Sequence, residues 1–202
     1  MLWLSRVDEI APALPAAWLI ATGAQPANLQ ERSALRRSLA RKILAHQLGL
    51  TEATVEIGHE PAGRPLITAP HGCGLHVSLA TRSGLVAIAL AHRRVGVDVE
   101  QIAAASESPL AVLHPDERRW LEGLPVPARP SGFARLWSAK EAYVKALGTG
   151  FTRAPESFAV RLDEGERFTV IDAQRGGHSS GFARLIENGG HESMAAAVVL
   201  LD

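Results

Sequence analysis

A chain of 202 residues with 47% apolar side chains can bury a sizeable core, as one compact unit or as two small halves. Its 21 basic and 21 acidic residues cancel, so no global field selects nucleic acid as a partner. The single cysteine, Cys73, excludes an internal disulfide, and no apolar run approaches the roughly 20 residues of a membrane span.

The start of the chain meets Asp8 and Glu9 too soon for a signal peptide, so a soluble, cytoplasmic protein is expected. Residues 1–30 are apolar and broken by Pro12, Pro15 and Pro26. They predict a short strand near Met1–Arg6, then irregular structure or a short helix, with Trp3 and Trp18 as packing residues. Glu31 to Leu50 reads as a helix, because Leu35, Leu39 and Ile43 recur at spacing three to four and Gly49 supplies a stop. Arg32, Arg36, Arg37, Arg41 and Lys42 occupy its other faces. They form either a solvated basic face or one from which an arginine or two turns inward to an anion.

Thr51–Gly58 predicts a strand through Val55 and Ile57. Gly63 and Pro65 then bracket Arg64, restraining the backbone that presents its guanidinium. His76–Leu90 predicts a hairpin turning at Thr81–Gly84, with a return strand apolar on both faces. Gly96 to Glu100 reads GVDVE. Alternation puts Asp98 and Glu100 on one strand face and the valines on the other. Two carboxylates on a half-buried face repel unless a cation or proton lies between them, and magnesium with oxygen ligands meets that need. An exposed sheet edge is the alternative.

A helix is expected within Ser106–Leu124, starting near Pro115, with Asp116 and Glu117 in its first turn and Trp120 and Leu121 buried. Pro125, Pro127 and Pro130 predict a loop. Trp137 to Phe151, WSAKEAYVKALGTGF, predicts a helix ended by Gly148 and Gly150. Glu141 and Lys145 are four apart and share a face. They suit a metal-assisted phosphate site, the carboxylate holding a hard cation and the amine neutralising phosphate oxygens, or else an ordinary surface pair. Strands are expected at Ser157–Leu162 and Phe168–Asp172, a glycine- and serine-rich loop at Arg175–Gly181, and closing strands at Phe182–Ile186 and Met194–Leu201. His71 and His76 show no zinc spacing, and Cys73 has no activating context. The expected fold is α+β. Two pseudo-symmetric halves, residues 1–95 and 96–202, each pack a long helix on a small antiparallel sheet, with the active site between them.

GVDVE followed by WSAKEAYVKALGTGF resembles the paired signature of the 4′-phosphopantetheinyl transferase superfamily, and more closely its larger, two-halved, surfactin-synthetase-activating type. The resemblance covers roughly residues 31–162. It implies magnesium-dependent transfer of the phosphopantetheine arm of coenzyme A to a serine of an apo acyl or peptidyl carrier protein, releasing adenosine 3′,5′-bisphosphate. Asp98, Glu100 and Glu141 would hold magnesium, or manganese, with Asp98 also contacting the coenzyme. Glu141, directly or through a metal-bound water, would take the serine proton, and Lys145 would contact the phosphate under attack. The first half would hold the adenine and 3′-phosphate, with Arg41 matching an arginine of the long first helix and Arg64 the basic residue of a Gly-Lys-Pro motif. The family's Ser-His pair aligns with Ala80-Thr81, or by a shift with Ser78-Leu79, and the histidine is missing either way. Thr81 would then donate a hydrogen bond, with Arg82 supplying charge.

The same likeness implies a monomer that recognises an acidic carrier of fatty-acid, polyketide or non-ribosomal peptide synthesis. Docking is expected near the loop before Trp137 and the helix after Gly150, at Arg129 and Arg135. Two other functions compete: a non-catalytic coenzyme A or carrier-protein binding module, for which the missing histidine speaks, and a different magnesium-dependent phosphodiester enzyme.

Overall fold

A computed structural model of the chain describes residues 1–102, 109–188 and 191–201. Ser106–Ser108, the start of the stretch expected to contain the second helix, lie outside the described residues. Strand β1 (Leu2–Leu4) pairs in parallel with β2 (Ala16–Ala21), which pairs antiparallel with β6 (Leu85–Ala91), which in turn pairs with β5 (His76–Arg82). Helix α1 (Leu29–Leu48) packs across this sheet, and β3 (Glu56–His59) with β4 (Pro65–Ala69) forms a separate two-stranded ribbon.

The second sheet has the order β7-β11-β10-β9-β8, with β7 (Val95–Gln101), β8 (Ala159–Leu162), β9 (Arg167–Asp172), β10 (Gly177–Asn188) and β11 (His191–Leu200). Helix α3 (Arg129–Leu147) lies on β7, β10 and β11, and the short α2 (Pro115–Gly123) packs against α3 and β8. The protein is therefore α+β, with a long helix on each of two mainly antiparallel sheets. Alternate residues of β6 face opposite ways. Val86, Ile88 and Leu90 pack under α1 with Ile43 and Leu44, while Ala87 and Ala89 pack against Val97 of β7 and Val198 of β11. Ala197 and Val199 turn the other way, toward Ala142 and Tyr143 of α3. The layers run helix, sheet, sheet, helix, and small alanines let the two sheets approach closely.

Local chemistry explains the element ends. The Asn28 side chain accepts from Glu31 N at 2.9 Å to start α1, and Gly49 closes it at φ 65°. Several expectations need correction. Glu52–Thr54 is a short helical turn, so the strand expected over Thr51–Gly58 is only Glu56–His59 and leaves out Val55. Arg129 and Arg135 lie on α3 and not on a loop before Trp137, and two short turns and a strand, not a helix, follow Gly150. Ala16–Ala21 is a strand, not irregular structure or helix, and it buries Trp18 completely, with the indole N–H donating to Glu9 O at 3.0 Å. Pro130 lies inside the first turn of α3, where its missing N–H costs nothing, rather than in a preceding loop. In α2, Leu121 is buried as expected, but Trp120 is 37% exposed and the buried neighbour is Glu117. Gly177–Gly181 belongs to β10 and is not a loop. A Cβ at Gly181 would lie 2.1 Å from Phe168 Cζ, so this glycine makes room for a ring instead of making a turn.

Candidate active site

The valines of β7 face the neighbouring sheet, so Asp98 and Glu100 face α3. Helix α3 brings Glu141 and Lys145 to the same place. Lys145 Nζ donates to Asp98 Oδ1 at 2.6 Å and to Val97 O at 3.2 Å. The geometry thus unites Asp98, Glu100, Glu141 and Lys145, and joins Lys145 directly to Asp98.

Negative charge is in excess here. Burial raises the Asp98 carboxyl above the ordinary range, and Lys145 only partly offsets it. Burial, then the Asp98 charge, pushes Glu100 up to about 7. Glu141 is raised by burial and again by Asp98. Arg82 Nε stands 3.7 Å from Glu100 Oε2, near enough to offset some of this charge. Asp98 Oδ2 is buried with no hydrogen-bond partner. As they stand, no three such side chains among the described residues converge into a metal cluster. Yet an all-oxygen donor set, mutual repulsion and an unpartnered buried oxygen suit a hard divalent cation.

Beside these groups lies a cavity of about 250 Å³ lined from α1, the β3–β4 ribbon, β5 and α3. Arg36 and Arg37 reach it from α1, Arg64 from the turn before β4, Ser78 and Leu79 from β5, and Lys145, Gly148 and Gly150 from α3 and its exit. Residues 94–199 match the model of the 4′-phosphopantetheinyl transferase superfamily. The chain belongs to this superfamily. It is 29% identical to the 4′-phosphopantetheinyl transferase gsp of Aneurinibacillus migulanus over 147 residues, 71% of this chain and 58% of that one. To the 4′-phosphopantetheinyl transferase HetI of Nostoc sp. it is 30% identical over 125 residues, 59% of this chain and 53% of that one. The chain therefore spans little more than half the length of these curated relatives. A solved holo-(acyl-carrier-protein) synthase from Bacillus anthracis, in complex with CoA, overlays 52% of this chain and 93% of its own at 26% identity, with a TM-score of 0.40.

Within this superfamily member, the sequence-expected residues divide. Arg64 lines the cavity and is only 10% exposed. Its Nε donates to Glu60 Oε2 at 3.0 Å and its Nη2 to Glu60 Oε1, and the guanidinium holds the Glu60 carboxyl below its ordinary range. Arg41 is elsewhere. Its Nη2 donates to Glu52 O at 2.9 Å, and it borders an adjoining open recess of about 620 Å³ that shares Arg37, Ile57 and Gly58 with the cavity. Thr81 is not among the cavity-lining residues, and its Oγ1 is buried without a partner. Ser78 and Leu79 form the wall instead, the register of the shifted alignment, and Ser78 Oγ accepts from Val97 N at 3.0 Å.

Sequence reasoning did not name Glu60; it held Arg36 and Arg37 only among five basic residues of α1, and Ser78 only as part of the shifted alignment. Arg36 Nε is buried without a partner, and burial followed by the Arg37 and Arg32 charges disfavours its cation. Such a group calls for an anion. The Glu60–Arg64 spacing of four was a visible signal for that pair, but which arginines of α1 face inward was not. No helix among the described residues is long and apolar enough to cross a membrane.

Proposed function

We propose that the protein transfers the 4′-phosphopantetheine arm of coenzyme A to a serine of an apo carrier protein. The observation that carries this reading is the facing of Asp98 and Glu100 on β7 by Glu141 and Lys145 on α3, beside a cavity lined by arginines of the other half. Asp98, Glu100 and Glu141 would hold magnesium or manganese, which supplies charge neutralisation to a pyrophosphate when bound. The serine oxygen attacks the phosphorus bearing the pantetheine arm. The bond from that phosphorus to the bridging oxygen breaks, and adenosine 3′,5′-bisphosphate departs with the electron pair.

Glu141, which shares the face of α3 that carries Lys145 to Asp98, takes the serine proton. Lys145 steadies the charge developing on the phosphate oxygens. Arg36, Arg37 and Arg64 supply the positive wall for the nucleotide phosphates. The relatives named as 4′-phosphopantetheinyl transferases support the same reaction class.

Intact mass spectrometry of an apo carrier protein with coenzyme A, magnesium and this protein tests the proposal. The expected result is a gain of one phosphopantetheine arm, lost in Glu141→Gln and in chelator. Coenzyme A binding without any gain across fatty-acid, polyketide and peptide carriers would replace the transferase with a binding module. Coenzyme A breakdown without a carrier would point to a phosphodiester hydrolase.

A further inference from the structure

Lys140, next to the proposed base, is a buried cation that the proposed chemistry does not use. Its side chain is 1% exposed and lies 2.7 Å from Glu117, whose side chain is fully buried. Lys140 Nζ also donates to Pro155 O and Phe158 O, both at 2.8 Å, and stands 4.3 Å from the Phe158 ring centroid. Glu117 is held in turn by Val160 N at 2.6 Å and His114 N at 2.8 Å.

A second anchor fixes the same stretch of chain. Arg153 donates through Nη2 to Asp172 Oδ1 at 2.6 Å, through Nη1 to Gln174 Oε1 at 2.6 Å, and through Nε to Ser157 Oγ at 2.9 Å. Asp172 Oδ2 accepts from Tyr143 OH at 2.8 Å, which brings this anchor back to α3. The Tyr143 and Phe158 rings pack with centroids 4.8 Å apart. One region of α3 thus carries Glu141 and Lys145 to the reaction centre, while Lys140 and Tyr143 secure the segment that leaves its end.

That segment starts at Gly148 and Gly150, which line the cavity, and one short turn (Gly150–Thr152) separates the cavity wall from Arg153. We propose that Arg153 and Lys140 are positioning residues: their clamps on residues 153–158 hold the Gly148–Gly150 wall in place and so set the affinity of the cavity for the nucleotide end of coenzyme A. The inference rests on the transferase reading for its ligand. The clamp itself stands on this geometry alone. Losing one member of a buried ion pair can unfold a protein, so Lys140 is a poor first target. Arg153, 16% exposed, is the better one.

The test compares wild type, Arg153→Gln and Arg153→Lys by coenzyme A titration calorimetry, hydrogen exchange and thermal unfolding. Arg153→Gln is expected to raise Kd about tenfold, because a displaced wall misplaces the ligand. It should also speed amide exchange in 149–158 while leaving β7 and β11 protected. Lysine restores charge but not the three-way fork, so Arg153→Lys should fall between. Faster exchange with an unchanged Kd would overturn the positioning role, and unchanged exchange would overturn the clamp. Absence of coenzyme A binding by wild type would overturn the functional reading, leaving the exchange result to decide the clamp.

Discussion

Gly96 is in backbone contact with Ala142: a Cβ at position 96 would lie 1.8 Å from the Ala142 carbonyl oxygen and 2.6 Å from Ala146 N. The first residue of GVDVE is therefore glycine because β7 must touch α3. That contact sets the reach between Asp98 and Lys145, which meet at 2.6 Å. Gly96→Ala is expected to push strand and helix apart and to cost about 3 kcal/mol or more, the upper range for forcing atoms into a packed core. Urea unfolding measures this. If Gly96→Ala retains both wild-type stability and magnesium-dependent stabilisation, close approach is not what the site requires.

Glu100 makes the metal-free protein sensitive to pH. Its carboxyl titrates near 4.5 in the unfolded chain and near 7 in the fold, so between these values the folded state binds more protons. Stability is thus greatest at the acid end of this window and is lost as pH rises through about 7. Asp98 and Glu141, also raised, act in the same direction. A divalent cation bound to the ionised carboxylates opposes the loss. Magnesium should therefore raise Tm more at pH 8 than at pH 6, and Glu100→Gln should flatten the metal-free slope. Thermal unfolding across pH with chelator or with magnesium checks both, and a metal-free Tm that climbs across the window would refute the charge assignment.

The parts legible in the sequence were those encoded by a local period. Asp98 and Glu100 are two apart on a strand, and Glu141 and Lys145 four apart on a helix, so each pair shares a face wherever the element lies. The chain order of β5, β6 and β7 and the stop at Gly49 were equally local. What was hidden depended on partners distant in sequence. Glu117 looks like a helix-start carboxylate, and only Lys140 on another helix makes it a buried ion. Trp18 lies in a short apolar run among prolines, and becomes a central strand residue only when β6 pairs with it. Arg36 and Arg41 are equivalent in composition, and which faces the cavity depends on the rotation of α1 on its sheet.

That rotation yields a contrast between two arginines on one helix. Arg36 borders the cavity with an unpartnered buried nitrogen, whereas Arg41 is tied to Glu52 O beyond it. Arg36→Ala should weaken coenzyme A binding tenfold or more, since a charged hydrogen bond contributes about 1.5–3 kcal/mol. Arg41→Ala should change it by no more than about twofold, as for a surface substitution. Calorimetric titration of both variants decides the matter. The reverse order would move the phosphate site to the outer recess.

Arg64 already has an anion, the carboxylate of Glu60, and its stem lies close to Gly148, where a Cβ would stand 3.2 Å from Arg64 Cδ. The contact links the turn before β4 to the end of α3. Glu60→Gln removes the charge but keeps the shape, leaving a nearly buried guanidinium without a counterion. The ligand-free variant should lose about 1–3 kcal/mol. A phosphate entering the cavity would then supply the missing charge, so coenzyme A should stabilise Glu60→Gln by more than it stabilises wild type. The Tm shift with and without coenzyme A reads out both effects. If the shift shrinks instead, Glu60 serves to aim Arg64 at the ligand rather than to stand in for it.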